Sequence, residues 1–344
     1  MKTVIITGAA GFIGFHLSKL MLSQGWRVIG VDSMSRYYDV KLKYARLRQL
    51  NQNQYFIFKQ QKIEIQSKFQ NICIEYPPDA IIHLAAQAGV RYSIDNPEDY
   101  VETNLVGTFK VLEAARRCSV DHLLMASTSS VYGANEVMPF HELQKTDHQM
   151  SFYAATKKSN EVMAHSYSHI FNIPITMFRF FTVYGPWGRP DMALFKFTDA
   201  IIKDEPIDVY NYGDMKRDFT YVEDLVRGIF ELVKVPPKNQ DNSQDHNQDM
   251  STIDSLSPVA PWRVVNIGNS SSVKLMDYIE ALEQALGKTA QKNYLPMQAG
   301  DVPCTLASTE LLGLLTEYSP STSVQDGVRK FVDWYLDYHQ LTSR

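Results

Sequence analysis

Apolar positions near the start of the chain come in short unbroken runs. TVIITG, WRVIGVDS, YFIF, AIIHLAA, HLLMAST, IPITMFRF and RVVNIG are rich in aliphatic and aromatic residues and lack polar alternation. Such runs suit strands buried on both faces of a parallel sheet. Between them, apolar residues recur at helical spacing over 14–24, 101–117 and 154–170. Strands alternating with amphipathic helices predict an α/β fold built on a doubly wound parallel sheet. The alternation fades after about Gly185. Helical spacing returns over 194–203, 222–235 and 275–286, with PIDVYNYG as a short strand. The expected division is a first domain over residues 1–184, which also receives the strand near 263–268, and a smaller C-terminal lobe over 185–344. Two such lobes close a crevice at the carboxyl ends of the strands. Residues 236–261 are rich in Asn, Gln, Asp and Ser, and a mobile surface loop is expected there.

The first strand runs into TGAAGFIG and then a helix. Gly8, Gly11, Phe12, Ile13 and Gly14 are therefore candidates to cradle a pyrophosphate. Glycine permits the tight turn, and a helix N-terminus supplies N–H donors. The spacing is G-x-x-G-x-x-G rather than the commoner G-x-G-x-x-G. The second strand ends in Asp32. An acid there accepts from ribose hydroxyls and repels a 2′-phosphate, which favours NAD over NADP. The first domain reads as a Rossmann domain.

Tyr153 and Lys157 are spaced to share one face of a helix. A Tyr-x-x-x-Lys pair alone usually marks a surface. A phenol working as a base near neutral pH needs its pKa, normally about 10, lowered by roughly 3 units, or about 4 kcal/mol. One nearby cation supplies roughly 1–3 units. Lys157 together with a positive nicotinamide ring would suffice, so the pair makes chemical sense beside an oxidised dinucleotide.

Composition narrows the partners. Hydrophobic residues make up 44% of the 344 residues and charged residues 21%, with a net charge of −4. That balance has no electrostatic footprint for nucleic acid. No apolar run is long enough to span a bilayer, and the N-terminal apolar stretch breaks into glycines instead of continuing as a leader. Cys73, Cys118 and Cys304 show no metal spacing. They read as reduced, buried thiols of a cytoplasmic protein, with no metal.

TGAAGFIG, HLAAQAGV, ASTSSVYG and YAATK, in that order, resemble the extended short-chain dehydrogenase/reductase family of nucleotide-sugar epimerases and dehydratases. The similarity covers nearly the whole chain. SRYYDVKLKYARL, RFFTVYGPWGRPDMALFKFTDAI and YNYGDMKRDFTYVEDLV are similar to its UDP-glucuronate 4-epimerase branch. The resemblance implies that residues 1–184 bind NAD and that the smaller lobe binds a UDP-sugar. It implies that Tyr153 is the base, that Lys157 lowers its pKa and holds the nicotinamide ribose, and that Thr128 is the hydroxyl partner. Leu84, Ala85 and Ala86 would line the cofactor, with Asn104 near the active-site end and Val183 beside the nicotinamide. Arg189 and Arg217 would hold the UDP pyrophosphate, Asp301 would face the uridine ribose, and Arg91 would also reach the substrate. Relatives often dimerise through the helices bearing Asn104 and Tyr153, and Ala154, Ala155 and Ala164 would permit close helix contact in a homodimer. A role in making a surface polysaccharide is likewise an expectation from resemblance. The chain departs from the family at the adenine contact. Where members often carry a Gly-Asp-Ile run near the third strand, this chain has Gln61, Lys62 and Ile63.

The hydroxyl row after the fifth strand bears on the reaction. Oxidising a hexuronate at C4 places a ketone β to the carboxylate, and such species tend to lose CO2. Family enzymes that eliminate or decarboxylate keep an acid beside the catalytic Thr: Asp-Glu in dTDP-glucose dehydratases and Ser-Glu in UDP-glucuronate decarboxylases. Here the positions are Ser129 and Ser130. Thr182 adds a hydroxyl where UDP-galactose epimerases usually have Asn. Neutral hydroxyls donate to a substrate carboxylate without adding charge. The expected reaction is reversible C4 epimerisation of UDP-glucuronate to UDP-galacturonate. A 4-epimerase of neutral UDP-sugars is one alternative. A non-catalytic NAD(H)-binding sensor is another, and the intact Thr128–Tyr153–Lys157 set speaks against it.

Overall fold

The computed structural model describes residues 1–239, 253–298 and 300–341. Its strands are β1 (Thr3–Thr7), β2 (Arg27–Asp32), β3 (Phe56–Gln60), β4 (Ala80–His83), β5 (His122–Ala126), β6 (Ile175–Phe180), β7 (Thr182–Tyr184), β8 (Ile207–Val209), β9 (Lys216–Tyr221), β10 (Trp262–Ile267), β11 (Ser272–Lys274) and β12 (Lys292–Tyr294). Its helices are α1 (Phe12–Ser23), α2 (Val40–Leu50), α3 (Gln66–Glu75), α4 (Tyr92–Asp95), α5 (Pro97–Tyr100), α6 (Thr108–Cys118), α7 (Phe152–Phe171), α8 (Ala193–Ile202), α9 (Val222–Val233), α10 (Leu275–Leu286), α11 (Glu310–Thr316) and α12 (Val324–Tyr338).

All seven expected runs join one parallel sheet in the order β10-β6-β5-β4-β1-β2-β3. The chain winds one way from β1 to β3 and the other way from β4 to β10. The switch therefore lies between β1 and β4, where ligands of such sheets bind. Every residue of β1 is buried. Val4 and Ile6 face a core shared with Phe15 and Leu17 of α1 and Leu225 and Ile229 of α9. Ile5, between them, faces the opposite core with Val111 and Leu112 of α6. Adjacent strand residues point to opposite faces, so a continuous apolar run is what a doubly covered strand requires.

The second half returns to this sheet more than the pattern implied. Besides β10, helices α9 and α11 contribute to its core. Conversely, β7 follows β6 after one residue but pairs with β9 in a small sheet of order β11-β9-β7. The smaller lobe has its own core, in which Tyr184, Phe219, Tyr278 and Phe331 meet. The helical stretch expected from Val101 begins as a π-helix, Val101–Gly107, and narrows into α6.

Residues 240–252 of the expected surface loop lie outside the described residues. The end of that stretch is tied down, contrary to expectation. Asp254 accepts from Nε and Nη2 of Arg263, each at 2.8 Å, and Ser257 meets His165 of α7 at 2.8 Å. Polar composition hid these contacts because Asp and Ser hydrogen-bond equally well to protein or to water. The thiols also differ from expectation. Cys73 is buried, but Cys118, at the end of α6, and Cys304 are half-buried. Ala154 and Ala164 are enclosed within the chain rather than offered to a partner.

Candidate active site

A cavity of about 1040 Å³ opens at the switch point and extends to the smaller lobe. Sites for one small ligand span roughly 300–1,000 Å³, so this one stands at the top of that range. Gly8, Gly11, Asp32, Leu84, Ala85 and Ala86 reach it from the ends of β1, β2 and β4, and Phe12, Ile13 and Gly14 from the first turn of α1. Thr128, Ser129 and Ser130 follow β5, Tyr153 and Lys157 come from α7, and Thr182 and Val183 from β7. Arg91, Arg189, Arg217 and Asp301 complete the wall. Asn104 does not line it. Its fully buried amide accepts from the Gln87 N–H at 2.8 Å and donates to the Gln87 carbonyl and Thr156 hydroxyl at 3.0 and 3.1 Å. It braces the wall from behind, because the π-helical segment that carries it packs against α7.

The cofactor end is built from backbone. Gly8 has φ +72°, and a Cβ at Gly14 would stand 2.1 Å from the Gly8 carbonyl oxygen. No side chain fits there, so the turn needs glycine. Thr7 Oγ1 accepts from the Leu84 and Ala85 N–H groups at 3.1 Å and contacts His83 Nδ1 at 2.8 Å. The other His83 nitrogen meets Thr108 at 3.0 Å. Burial holds His83 down at about 3, so it stays neutral. Asp32 accepts from the Ala10 and Met34 N–H groups at 3.1 and 2.8 Å.

Three residues here escaped sequence reasoning. Lys43 of α2 stands 3.8 Å from Asp32 and is buried. Arg46, fully buried, donates to the Ala10 carbonyl at 2.8 Å and the Trp187 carbonyl at 2.6 Å, tying the glycine loop to the turn before Arg189. Cations on a polar helix read as solvated, and no spacing rule would have separated these two from Lys41 or Arg48. The third is Glu64. Lys62 points outward and pairs with Glu102 at 3.9 Å, while Gln61, Ile63 and Glu64 line the cavity. Glu64 Oε1 accepts from Thr103 at 3.0 Å, and its buried Oε2 has no partner among the described residues. That orphaned acceptor suits an exocyclic amine such as adenine carries. The glycine cradle, the anchored Asp32 and this acceptor together fit NAD.

At the reacting end, Ser151 caps α7 by accepting from the Ala154 N–H at 3.1 Å, which sets Tyr153 and Lys157 on the first turns. Lys157 Nζ donates to the Ala126 carbonyl at 2.9 Å. Burial lowers its ammonium to about 8, against the pull of Glu161. Burial raises the Tyr153 phenol, while the Thr128 hydroxyl and the charge of Arg189 draw it down. Thr128 and Arg189 thus favour the phenolate, and burial outweighs them. Behind the site, Glu161 accepts from Ser127 at 2.7 Å and from two Arg179 nitrogens at 2.9 Å.

On the lobe side, Arg189 does not offer its whole fork. Its Nε donates to Asp191 at 3.0 Å and its Nη2 also binds that carboxylate. Tyr37 donates to Asp191 at 3.2 Å. Asp191 was missed because an acid among candidate anion-binding cations reads as solvated turn sequence. Arg91 pairs with Asp301 at 3.0 Å and lies over the Tyr210 ring, and Asp301 also acts on Arg217. Positions 129 and 130 carry only hydroxyls, and Thr128 Oγ1 donates to Ser130 Oγ at 3.2 Å. Among the described residues no cluster of His, Cys, Asp and Glu could hold a metal ion, and no helix is long and apolar enough to cross a membrane.

Comparison with known proteins identifies the family. Residues 4–244 match the model of the NAD dependent epimerase/dehydratase family. Protein CapI of Staphylococcus aureus is 51% identical over 98% of this chain and 99% of its own length. A protein of Rhizobium meliloti described as a probable UDP-glucuronate 4-epimerase is 51% identical over 96% of each chain. The crystal structure of UDP-glucuronic acid 4-epimerase from Bacillus cereus, in complex with UDP-glucuronic acid and NAD, superposes with a TM-score of 0.85 at 32% identity, covering 98% of this chain and 99% of that one. The chain belongs to the NAD dependent epimerase/dehydratase family.

Proposed function

We propose that this chain is an NAD-dependent UDP-glucuronate 4-epimerase, which interconverts UDP-glucuronate and UDP-galacturonate through a 4-keto sugar. The observation that carries the reading is one cavity that joins Tyr153 and Lys157 to Thr128, Ser129, Ser130, Thr182 and Arg189. A base and its hydroxyl partner face donors suited to a uronate, with no acid at 129 or 130. The first domain, with the strand near 263–268, holds NAD. The lobe holds UDP, with Arg217 and Asp301 at the nucleotide.

Tyr153 takes the O4 proton as C4 is oxidised and returns it when C4 is reduced, so no net proton is consumed. Bound NAD+ supplies the hydride acceptor at C4, a donor on the return, and positive charge beside the phenol. Thr128 hydrogen-bonds the phenol and Arg189 adds charge, both favouring the phenolate. Lys157, held on the Ala126 carbonyl, is placed for the nicotinamide ribose. Ser129, Ser130 and Thr182 donate to the C5 carboxylate. These neutral donors supply no acid–base group for C5, so the 4-keto uronate turns over and is reduced on its other face rather than losing CO2.

The exposed sides of the π-helix, α6 and α7 carry Val106, Phe109, Phe152, Val162, Ile170 and Phe171. This apolar surface supports a homodimer through those helices, which light scattering would test. A cytoplasmic setting suits three free thiols. The functional test is product analysis with UDP-glucuronate and, separately, UDP-glucose, using enzyme purified without added NAD. UDP-galacturonate should form. Conversion of UDP-glucose alone would overturn the reading.

A further inference from the structure

The charge of Arg189, a candidate cation for substrate, is already matched by Asp191. A guanidinium has five donors in a fixed plane. The edge formed by Nε and Nη2 is taken by the two oxygens of Asp191, and Nη2 also reaches the Ala88 carbonyl at 3.4 Å. Among the described residues Nη1 donates to no acceptor. The carboxylate is itself fixed, because Tyr37 donates to its Oδ2 at 3.2 Å and its residue lies only two positions along a tight turn closed by the Met192 N–H on the Arg189 carbonyl at 3.1 Å. Tyr37, Arg189 and Asp191 all line the cavity.

We propose that Asp191 is a positioning residue: it clamps one edge of Arg189 so that the Nη1 donors face the cavity and meet an anionic group of the substrate end-on. The inference rests on the UDP-uronate reading of the cavity. The Arg189–Asp191 unit is a directed pair of donors with little net charge. It therefore rewards an anion in one place rather than attracting any anion loosely. A free guanidinium in a site that also holds Arg91 and Arg217 would bind the substrate in several poses. The opposing possibility is that Asp191 merely occupies the seat that the substrate must take, in which case removing its charge would tighten binding.

The experiment is a double-mutant cycle on the full-length enzyme with NAD bound, following KM and kcat for UDP-glucuronate and the inhibition constant of UDP. Asp191→Asn should raise KM for UDP-glucuronate about tenfold with a much smaller change in kcat. Tyr37→Phe should move KM the same way by a smaller factor. In an Arg189→Ala background, Asp191→Asn should cost nothing or recover affinity, since it then removes a bare carboxylate that faces an anion. Equal losses in both backgrounds, an unchanged KM in Asp191→Asn, or tighter UDP-glucuronate binding in that variant would each overturn the proposal. If Asp191→Asn fails to fold, the Tyr37→Phe series with and without Arg189→Ala decides it by the same signs. Wild-type turnover separates the two readings: no turnover of UDP-glucuronate by wild type defeats the substrate assignment, whereas turnover with an additive cycle defeats only the role of Asp191.

Discussion

The two ends of the cleft are built by different means. At the cofactor end the phosphate cradle is backbone, with Asp32 and Glu64 as side-chain acceptors beside it. Gly8, Gly11 and Gly14 form a turn so tight that a Cβ at Gly14 would meet a carbonyl oxygen at 2.1 Å, and Thr7 and His83 hold the next strand's N–H groups in line. At the sugar end the wall is made of side chains from separate segments: Thr128 after β5, Tyr153 on α7, Thr182 on β7, Arg189 before α8, Arg217 on β9 and Asp301 beyond β12. Backbone recognition is sterically strict and indifferent to the rest of the sequence, which suits a cofactor shared by many enzymes. Side-chain recognition can be altered one residue at a time, which suits the part of the site that must choose a sugar and a reaction.

If this contrast holds, the largest effect should come from the backbone end. Gly14→Ala places a methyl group against main chain that cannot yield, so the purified protein should contain little or no NAD. Cofactor released by acid and measured by absorbance checks this, and wild-type NAD content would break the contrast. Next in size, Tyr153→Phe should lower kcat on the order of 10²–10⁴-fold while NAD content and UDP affinity stay near wild type. Loss of NAD from this variant would mean that the two ends are not separable.

Ser130→Glu should act on sugar and reaction alone. At ~4 Å and an effective dielectric near 20, a carboxylate facing the substrate carboxylate costs up to about 4 kcal/mol, and less when protonated. UDP-glucuronate should bind more weakly, and a 4-keto-pentose with reduced cofactor should appear, read by mass spectrometry and absorbance. A folded variant with unchanged affinity and no product of CO2 loss would show that the hydroxyl row does not select epimerisation.

The smallest expected effect lies behind the sugar end. Lys157 loses its proton near 8, below the usual lysine range, because burial outweighs the pull of Glu161. Activity that needs the ammonium is therefore present below that pH and falls as pH rises through it. Glu161→Gln removes the group holding that pKa up, so the alkaline limb of kcat/KM should move to lower pH by about one unit or less. The melting temperature should also fall, because Arg179 loses its charged partner. A limb that stays in place would mean that Lys157 is not the group titrating.

How much was legible beforehand follows the same division. The seven strands, the glycine turn, Asp32 and the Tyr153–Lys157 pair are local features. A buried parallel strand needs a continuous apolar run, a turn without room for a Cβ needs glycine, and a four-residue spacing on a helix puts two side chains on one face. Each follows from a few consecutive residues, so the sequence by itself determined the fold class, the glycine turn and the placing of Tyr153 and Lys157 on one helix face. Tertiary structure alone decided that Asn104 braces Gln87 instead of lining the cavity, that Lys43 stands beside Asp32, that Arg46 joins the glycine loop to the turn before Arg189, and that Asp191 takes half of Arg189's fork. A side chain's charge and donors are written in the sequence. Which acceptor it meets depends on the packing of segments tens to hundreds of residues apart, and burial then shifts how readily it ionises, as it does for Lys157 and Tyr153.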